Sequence, residues 1–191
     1  MNDLSETLDG AVDVIARRLL GCELEREMDG EVTRARIVET EAYDQTDAAS
    51  HSYKGRTPRT DIMFGPSGHL YVYFTYGMHY CCNIVVGGEG YGAAVLIRAV
   101  EPMSGEHILR RRRGDKSGVE ITNGPAKLCQ ALDIDKRLNG HDLRKPPLRL
   151  LMKPELTDEI VVSTRIGISQ ARDKQWRFYM KDNPYVSRNS R

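Results

Sequence analysis

The chain has 191 residues, of which 40% are hydrophobic and 29% charged, so it can form one sizeable core but not two large domains. No apolar run is long enough to span a bilayer, and segment 1–13 is acidic where a signal peptide is basic, so we expect a soluble, intracellular protein. The four cysteines lack zinc or disulfide spacing, which indicates buried thiols and no metal site.

The charges are unevenly distributed along the sequence. Residues 1–31 hold nine acidic and three basic residues, which leaves 25 basic and 18 acidic residues for 32–191. This asymmetry favours a polyanionic partner for the later part of the chain. Charged helix surfaces produce a similar excess, so the observation does not decide the function by itself.

The first half of the chain predicts one helix, two strands and a long loop. The helix is capped by Ser5 or Thr7, ends at Gly21 and has an apolar stripe of Val12, Ile15, Ala16, Leu19 and Leu20. Strands at 22–27 and 32–43 follow, joined by a turn at Asp29-Gly30. Residues 44–68 are polar and aperiodic, and loops of that length in a compact domain are usually functional.

The second half predicts a hairpin at 69–75 and 78–86 with Tyr76-Gly77 at its tip, then a strand at 93–100. Ser104 is expected to cap a helix that ends at 110–113, and Asn123 to cap a helix at 125–132. Short strands are expected at 148–152, 160–164 and 175–180. The pattern predicts an α+β fold: a single compact domain over 1–191 with a mostly antiparallel curved sheet, surrounding helices and a protruding hairpin.

The segment VETEAY at 38–43 predicts a strand that places Glu39, Glu41 and Tyr43 on one face. For any single glutamate, a solvated strand face is the plainer interpretation. This strand, however, runs into the polar loop that carries His51 and three basic side chains: Lys54, Arg56 and Arg59. An acid, a histidine and bases near one strand end favour a functional site.

A carboxylate beside a histidine can take a proton from water as the water attacks a sugar carbon, an effect worth about 10² to 10⁴ in rate. Glycosidic cleavage also passes through an oxocarbenium-like state that a nearby anion stabilises, so Glu41 suits both roles. Alternatively, Glu39 and Glu41 are the acid and nucleophile of a sugar hydrolase, at a spacing of roughly 7 Å along one strand. Nothing else in the sequence resembles a carbohydrate cleft.

The segment HLYVYFTYGMHYCCNI at 69–84 places several tyrosines in one hairpin. Ordinary sheet aromatics explain Tyr80. Tyr71 and Tyr73 share a face, and Tyr76 sits at the turn, where a large ring projects instead of packing. A projecting ring beside basic loops suits a protein that flips a nucleotide out of a duplex, because a wedge must fill the gap.

Two arginine features allow both a structural and a functional interpretation. Arg98 is the one charge in the apolar part, 94–100, of AVLIRAVEP at 94–102, and it must meet a carboxylate or a phosphate because an unpaired buried arginine is too costly. A structural salt bridge and a phosphate contact both remain open. For the cluster 110–113, a solvated helix surface and direct phosphate contact both remain open.

At these residues the sequence resembles the alkyladenine, or 3-methyladenine, DNA glycosylases, which take alkylated and deaminated purines from DNA. The resemblance covers nearly the whole chain. It rests on separated motifs in the right order: VETEAY, DAASHSYKGRTPRT at 47–60, LYVYFTYGMHYCCNI at 70–84, AVLIRAVEP, NGPAKLCQAL at 123–132, GIS at 167–169 and WRFYMKDNPYVS at 176–187.

The resemblance implies a role for each matching position. Glu41 matches the general base that activates the attacking water, and Arg98 a residue that helps hold that water. The walls of the pocket for the flipped base are matched by Tyr43, His51 and Tyr73, and Tyr71 lies in the same pocket region. Tyr76 matches the ring inserted into the duplex, and Asn83 the residue that helps exclude normal guanine.

The resemblance also implies a monofunctional enzyme of base excision repair without lyase activity, metal or organic cofactor, so Lys54 is not a Schiff-base nucleophile. The implied partner is double-stranded DNA that contains damaged purines such as 3-methyladenine or hypoxanthine. No membrane partner is implied, and the enzyme is expected to act as a monomer. We expect a bacterial cytoplasmic, nucleoid-associated protein, or a nuclear one in a eukaryote. Two rivals are a non-catalytic binder of damaged or distorted DNA and an enzyme that cuts nucleosides or sugars.

Overall fold

The computed structural model describes residues 4–153 and 159–187, and its strands form one antiparallel sheet with β2 at the centre. The sheet order is β3-β4-β5-β2-β1-β6, with β8 paired to β2 and β7 to β8. The strands are β1 Glu23–Met28, β2 Glu31–Asp44, β3 Leu70–Thr75, β4 His79–Val85, β5 Ala93–Ser104, β6 Leu148–Leu151, β7 Ile160–Ser163 and β8 Arg177–Met180. The predicted α+β class with a mostly antiparallel sheet is confirmed.

Strand β2 carries the residues of greatest interest because it pairs with three other strands. Its first half pairs with β1, its second half with β8, and almost its whole length with β5. Register shifts on either side of Glu39 mark a β-bulge against β5, and a bulge re-aims the side chains that follow it. Thr40 and Ala42 therefore continue on the core side, where the Thr40 hydroxyl donates to the carbonyl of Ala16.

Four α-helices lie among the described residues: α1 Leu4–Thr7, α2 Val12–Arg18, α3 Glu106–Arg112 and α4 Pro125–Ala131. The apolar residues of α2 and α4 join the strands in the main core cluster. The stripe predicted for the first helix is buried as expected. None of the helices in this described part is both long and apolar enough to cross a bilayer.

The predicted helix caps are wrong at all three helices. The first predicted helix is divided at Gly10, which has a positive φ of 129°, so α2 begins after Ala11 and not after Thr7. The Ser5 side chain lies outside the described part of the chain. Gly105 and Gly124 occupy the capping positions assigned to Ser104 and Asn123, without a side-chain hydrogen bond at either helix.

Both predicted hairpin turns are present, but the second is one residue longer than predicted, since Thr75 pairs with His79 and Met78 is left outside the pairing. The β1–β2 turn has Asp29 at φ 53° and Gly30 at φ 78°, and the β3–β4 turn has Tyr76 at φ 51° and Gly77 at φ 68°. Two central residues with positive φ are the mark of a type I′ turn, whose twist matches that of the flanking strands. The predicted loop 44–68 is not wholly irregular, since it contains 3-10 helices at His51–Lys54 and Asp61–Phe64.

The arginine cluster at the end of α3 is mostly engaged within the protein. Arg111 pairs with Glu31 at 3.0 Å, Arg112 donates to the carbonyl of Ala131, and Arg113 donates to the carbonyl of Ile121. These bonds tie α3 to the elements around it. A structural role therefore accounts for three of the four arginines without DNA.

The cysteines give a test of the packing. All four are buried and free, as predicted from their spacing. Burial raises the pKa of Cys81 to about 11 and also raises the pKa of Cys22 and of Cys129. We expect no thiol to react with Ellman's reagent at pH 8 in the native protein and all of them to react in denaturant, because only exposed thiolates attack disulfides. Fast reaction in native buffer would contradict this packing.

Candidate active site

A cleft of about 380 Å³ brings the predicted site residues together. It is bounded by the ends of β2 and β5, the hairpin β3–β4 and the segment 166–170. Its volume lies within the range of small-ligand pockets. Each residue predicted for the site lines it: Glu41, Tyr43, His51, Tyr71, Tyr73, Tyr76, Asn83 and Arg98.

Glu41 is held in one orientation by three contacts. Its Oε1 accepts from the backbone N–H of Ile166 at 2.8 Å and lies 3.2 Å from Nη1 of Arg98. Its Oε2 accepts from the Tyr43 hydroxyl at 2.8 Å. Each carboxylate oxygen offers about two acceptor positions, so Oε2 keeps one position for a further donor.

Arg98 meets carboxylates, which resolves the alternatives left open by its sequence. Its Nε donates to Glu39 at 2.9 Å while Nη1 faces Glu41. Burial opposes the charge of the guanidinium, but the two carboxylates outweigh burial and raise its pKa. Glu39 does not line the cleft, so the alternative in which Glu39 and Glu41 form an acid and nucleophile pair loses its geometric basis.

Aromatic rings form one wall of the cleft. The His51 ring lies edge-on to Tyr73 with centroids 4.7 Å apart, and its Nδ1 is 3.0 Å from the Tyr71 hydroxyl. Burial raises the pKa of Tyr43, Tyr71 and Tyr73, and burial together with the charge of Arg59 lowers the pKa of His51. At neutral pH the wall is therefore formed by uncharged rings.

The two remaining predicted residues occupy opposite ends of the hairpin. Asn83 is buried, and its amide nitrogen donates to the carbonyl of Tyr71, which leaves the amide oxygen without a bond to that strand. Tyr76 is 83% exposed at the hairpin tip. One residue is fixed beside the cleft and the other projects from its rim.

Sequence reasoning missed the second support of the cleft. Arg165 and Asp47 form a buried ion pair whose side chains are 0% exposed. Arg165 also donates to the carbonyl of Ala42 at 2.9 Å, and its guanidinium carbon lies 4.6 Å from the centroid of the Tyr43 ring. This pair anchors the chain just before Ile166, and only long-range folding joins positions 118 residues apart.

Breaking the Asp47–Arg165 pair is expected to destabilise the protein. Asp47→Ala leaves a buried guanidinium without its counter-charge, which costs about 3–5 kcal/mol of the free energy of unfolding. Urea denaturation followed by circular dichroism measures the loss. Glu159→Ala, which breaks an exposed ion pair with Lys181, is the matched control and should cause a much smaller change. Equal effects of the two substitutions would contradict the structural role of the buried pair.

The sequence profile of the family described as methylpurine-DNA glycosylase matches residues 6–184. A protein of Carboxydothermus hydrogenoformans is 52% identical over 92% of this chain and 93% of its own length. A protein of Methanoculleus marisnigri is 51% identical over 91% and 92%, and one of Francisella tularensis is 43% identical over 98% and 100%. All three carry the provisional name 3-methyladenine DNA glycosylase. The chain belongs to the methylpurine-DNA glycosylase family, whose members are repair glycosylases of alkylated bases.

Proposed function

We propose that the protein flips a damaged purine out of duplex DNA and hydrolyses its N-glycosidic bond with water activated by Glu41. The observation that carries the proposal is the Glu41 carboxylate, fixed at the floor of an aromatic cleft with one acceptor position of Oε2 unoccupied by protein. A general base needs this combination of fixed geometry and a free acceptor position. The substrate we assign is an alkylated or deaminated purine of the 3-methyladenine or hypoxanthine type.

The reaction follows from the position of the carboxylate. The water oxygen bonds to the anomeric sugar carbon, its proton passes to Glu41, and the departing purine takes the electron pair of the glycosidic bond. The products are a free base and an abasic site. The ionised carboxylate also stabilises the oxocarbenium-like charge before the bond to water forms. No lysine is among the described residues that line the cleft, which supports hydrolysis without a Schiff base.

Water reaches Glu41 only from inside the cleft. The side chain of Glu41 is 0% exposed, so a small displacement of the cleft lining has to accompany entry of the attacking water. Exclusion of bulk water strengthens every charge interaction at the reacting centre. Arg98 and the backbone of Ile166 hold the carboxylate through this step, and we assign Arg98 to the catalytic machinery on that basis.

The aromatic wall suits a damaged purine. Rings of Tyr71 and Tyr73 lie with centroids 5.7 Å apart beside His51, and stacking on such rings is worth about 1–3 kcal/mol per base. An alkyl group on a ring nitrogen gives the purine a positive charge, which uncharged aromatic faces attract. We assign Tyr43, His51, Tyr71 and Tyr73 to the pocket for the flipped base, and Asn83 to discrimination against normal guanine.

The rim of the cleft suits a DNA duplex. Tyr76 projects from the hairpin tip as the wedge that fills the vacated position, next to Met78, which is 70% exposed. Basic side chains of the loop beside the cleft, Lys54 and Arg59, are exposed, and the Arg59 guanidinium carbon lies 5.9 Å from the Tyr73 ring centroid. We propose that the protein acts on DNA as a monomer, as one glycosylase domain and without a cofactor, in the nucleoid-containing cytoplasm of a bacterium.

The substitution Glu41→Gln tests the catalytic role. Glutamine keeps the shape of the side chain but cannot take the proton, so release of hypoxanthine from a duplex is expected to fall by at least about 10²-fold. High-performance liquid chromatography of the free base measures release, and gel shift measures DNA affinity, which should stay near that of the wild type. A variant that retains full release would remove Glu41 from the role of base.

Two rivals make different predictions in the same assays. For a non-catalytic binder of damaged DNA, no free base appears even with the wild-type protein. For a nucleoside hydrolase, free inosine turns over as fast as damaged DNA, and no duplex affinity that weakens with salt is found.

The substitution Tyr76→Ala tests the wedge. Loss of the ring removes stacking worth about 1–3 kcal/mol, so base release from a duplex is expected to fall by about tenfold or more. Because the ring is exposed, the melting temperature should not change. Tyr76→Phe, which keeps the ring, is the control and should retain activity. An equal loss on a single-stranded substrate, where no gap has to be filled, would argue against a wedge.

A further inference from the structure

Glu39, the second carboxylate of VETEAY, is saturated with donors. It is 0% exposed, and its Oε1 accepts from Nε of Arg98 at 2.9 Å, from Nε of Arg177 at 2.6 Å and from the Ser187 hydroxyl at 2.9 Å. Its Oε2 accepts from the backbone N–H of Ser187 at 2.7 Å. These donors leave little capacity for water or substrate, since a carboxylate offers about four acceptor positions. Glu39 is therefore not a reacting group.

The position of Arg98 depends on Glu39 and Ser187. The guanidinium is planar and rigid, so fixing two of its nitrogens fixes the third. Its Nε is bound by Glu39 and its Nη2 donates to the Ser187 hydroxyl at 3.3 Å. The remaining nitrogen, Nη1, is then held against Glu41.

Glu39 also balances the charge around Glu41. Two carboxylates and two guanidinium groups, Glu39, Glu41, Arg98 and Arg177, form a cluster with no net charge. Without Glu39, the buried Arg98 would keep Glu41 as its only carboxylate partner among the described residues. A stronger positive field favours the ionised carboxylate and makes it a weaker base.

The other titratable and charged groups near Glu41 do not replace this balance. Tyr43 donates from β2 itself, and Arg165 lies against the Tyr43 ring. The hairpin contributes Tyr73 and Cys81, both of which also feel the charge of Glu41. Because these hairpin groups are neutral at pH 7, Glu39 is the one further negative charge in direct contact with Arg98 among the described residues.

The end of the described chain is part of this arrangement. Ser187 follows the segment after β8, where the Asn183 side chain donates to Glu101 at 3.0 Å and Tyr185 packs against a small core cluster. These contacts dock the segment 183–187 on the sheet. Its last residue delivers both a hydroxyl and an N–H to Glu39.

We infer that Glu39 and Ser187 are positioning residues, which hold Arg98 and through it orient Glu41. The segment 183–187 therefore supports the active site. This inference rests on the proposed function of Glu41. It assigns no contact with DNA or with the damaged base to either residue.

The test compares Glu39→Gln with Glu25→Gln. Glu25 is the matched control because it is another buried carboxylate held between two arginines, Arg34 and Arg149, and it does not line the cleft. Single-turnover release of hypoxanthine from a duplex is measured from pH 5 to 9 for wild type and both variants. Gel shift gives the DNA affinity, and thermal unfolding shows that each variant is folded.

For Glu39→Gln the expected rate at pH 7 is about 10–100-fold below wild type, with unchanged DNA affinity, as for other outer residues that orient a reacting group. The acid side of the pH–rate profile should move to lower pH, because one negative charge beside Arg98 is removed. A residue with a merely structural role would not move this profile. For Glu25→Gln both the rate and the profile should match wild type.

A second variant, Ser187→Ala, tests the inference if Glu39→Gln does not fold. It removes the hydroxyl bond to both Glu39 and Arg98 and should lower the rate several-fold at wild-type DNA affinity. Thr33→Val, which removes a buried hydroxyl bonded to the carbonyl of Arg26, is its control and should not lower the rate. A wild-type rate in the Ser187→Ala variant overturns the inference. So does a folded Glu39→Gln variant with a wild-type rate and an unshifted pH–rate profile. The proposed function fails separately, when wild type releases no base or Glu41→Gln releases it fully.

Discussion

Arg98 and the two carboxylates that it bridges set the main constraint on this structure. Glu39 and Glu41 are both 0% exposed on the central strand, and an unpaired buried charge costs several kcal/mol. The fold meets that cost by placing β5 on one side of β2 and β8 on the other, so that Arg98 and Arg177 both reach Glu39. The order of strands around β2 is therefore tied to charge neutralisation as well as to apolar packing.

The same constraint explains why rigid elements surround the cleft. Glu41 is fixed by a strand neighbour, Tyr43, by a side chain on the next strand, Arg98, and by the backbone of Ile166. Ile166 is held in turn by the Asp47–Arg165 pair. A carboxylate supported from three directions keeps its geometry without help from substrate. This pre-organisation is what general-base chemistry requires.

Local patterns predicted much of this arrangement, and long-range pairing accounts for the remainder. Turns at Asp29-Gly30 and Tyr76-Gly77 were predictable because the geometry of a tight turn depends on adjacent residues, whereas the extra loop residue Met78 was not. The bulge at Glu39 was not, because simple alternation gives no sign of an extra residue opposite β5. The eight residues singled out by the family resemblance all line one cleft in the structure, whereas the partners of Arg165 and Glu39 depend on contacts between distant segments.

The two hairpin turns differ in how well their first residue suits a positive φ. Both place a non-glycine residue at positive φ, but Asp29 is of a type that tolerates this conformation and Tyr76 is not. Backbone strain of this kind costs roughly 1–3 kcal/mol of stability. Packing of the Tyr76 ring does not offset that cost, because the residue is 83% exposed. An aspartate or asparagine would form the same turn at lower cost. The tyrosine at the tip is therefore not explained by folding, which is consistent with the wedge role proposed for it.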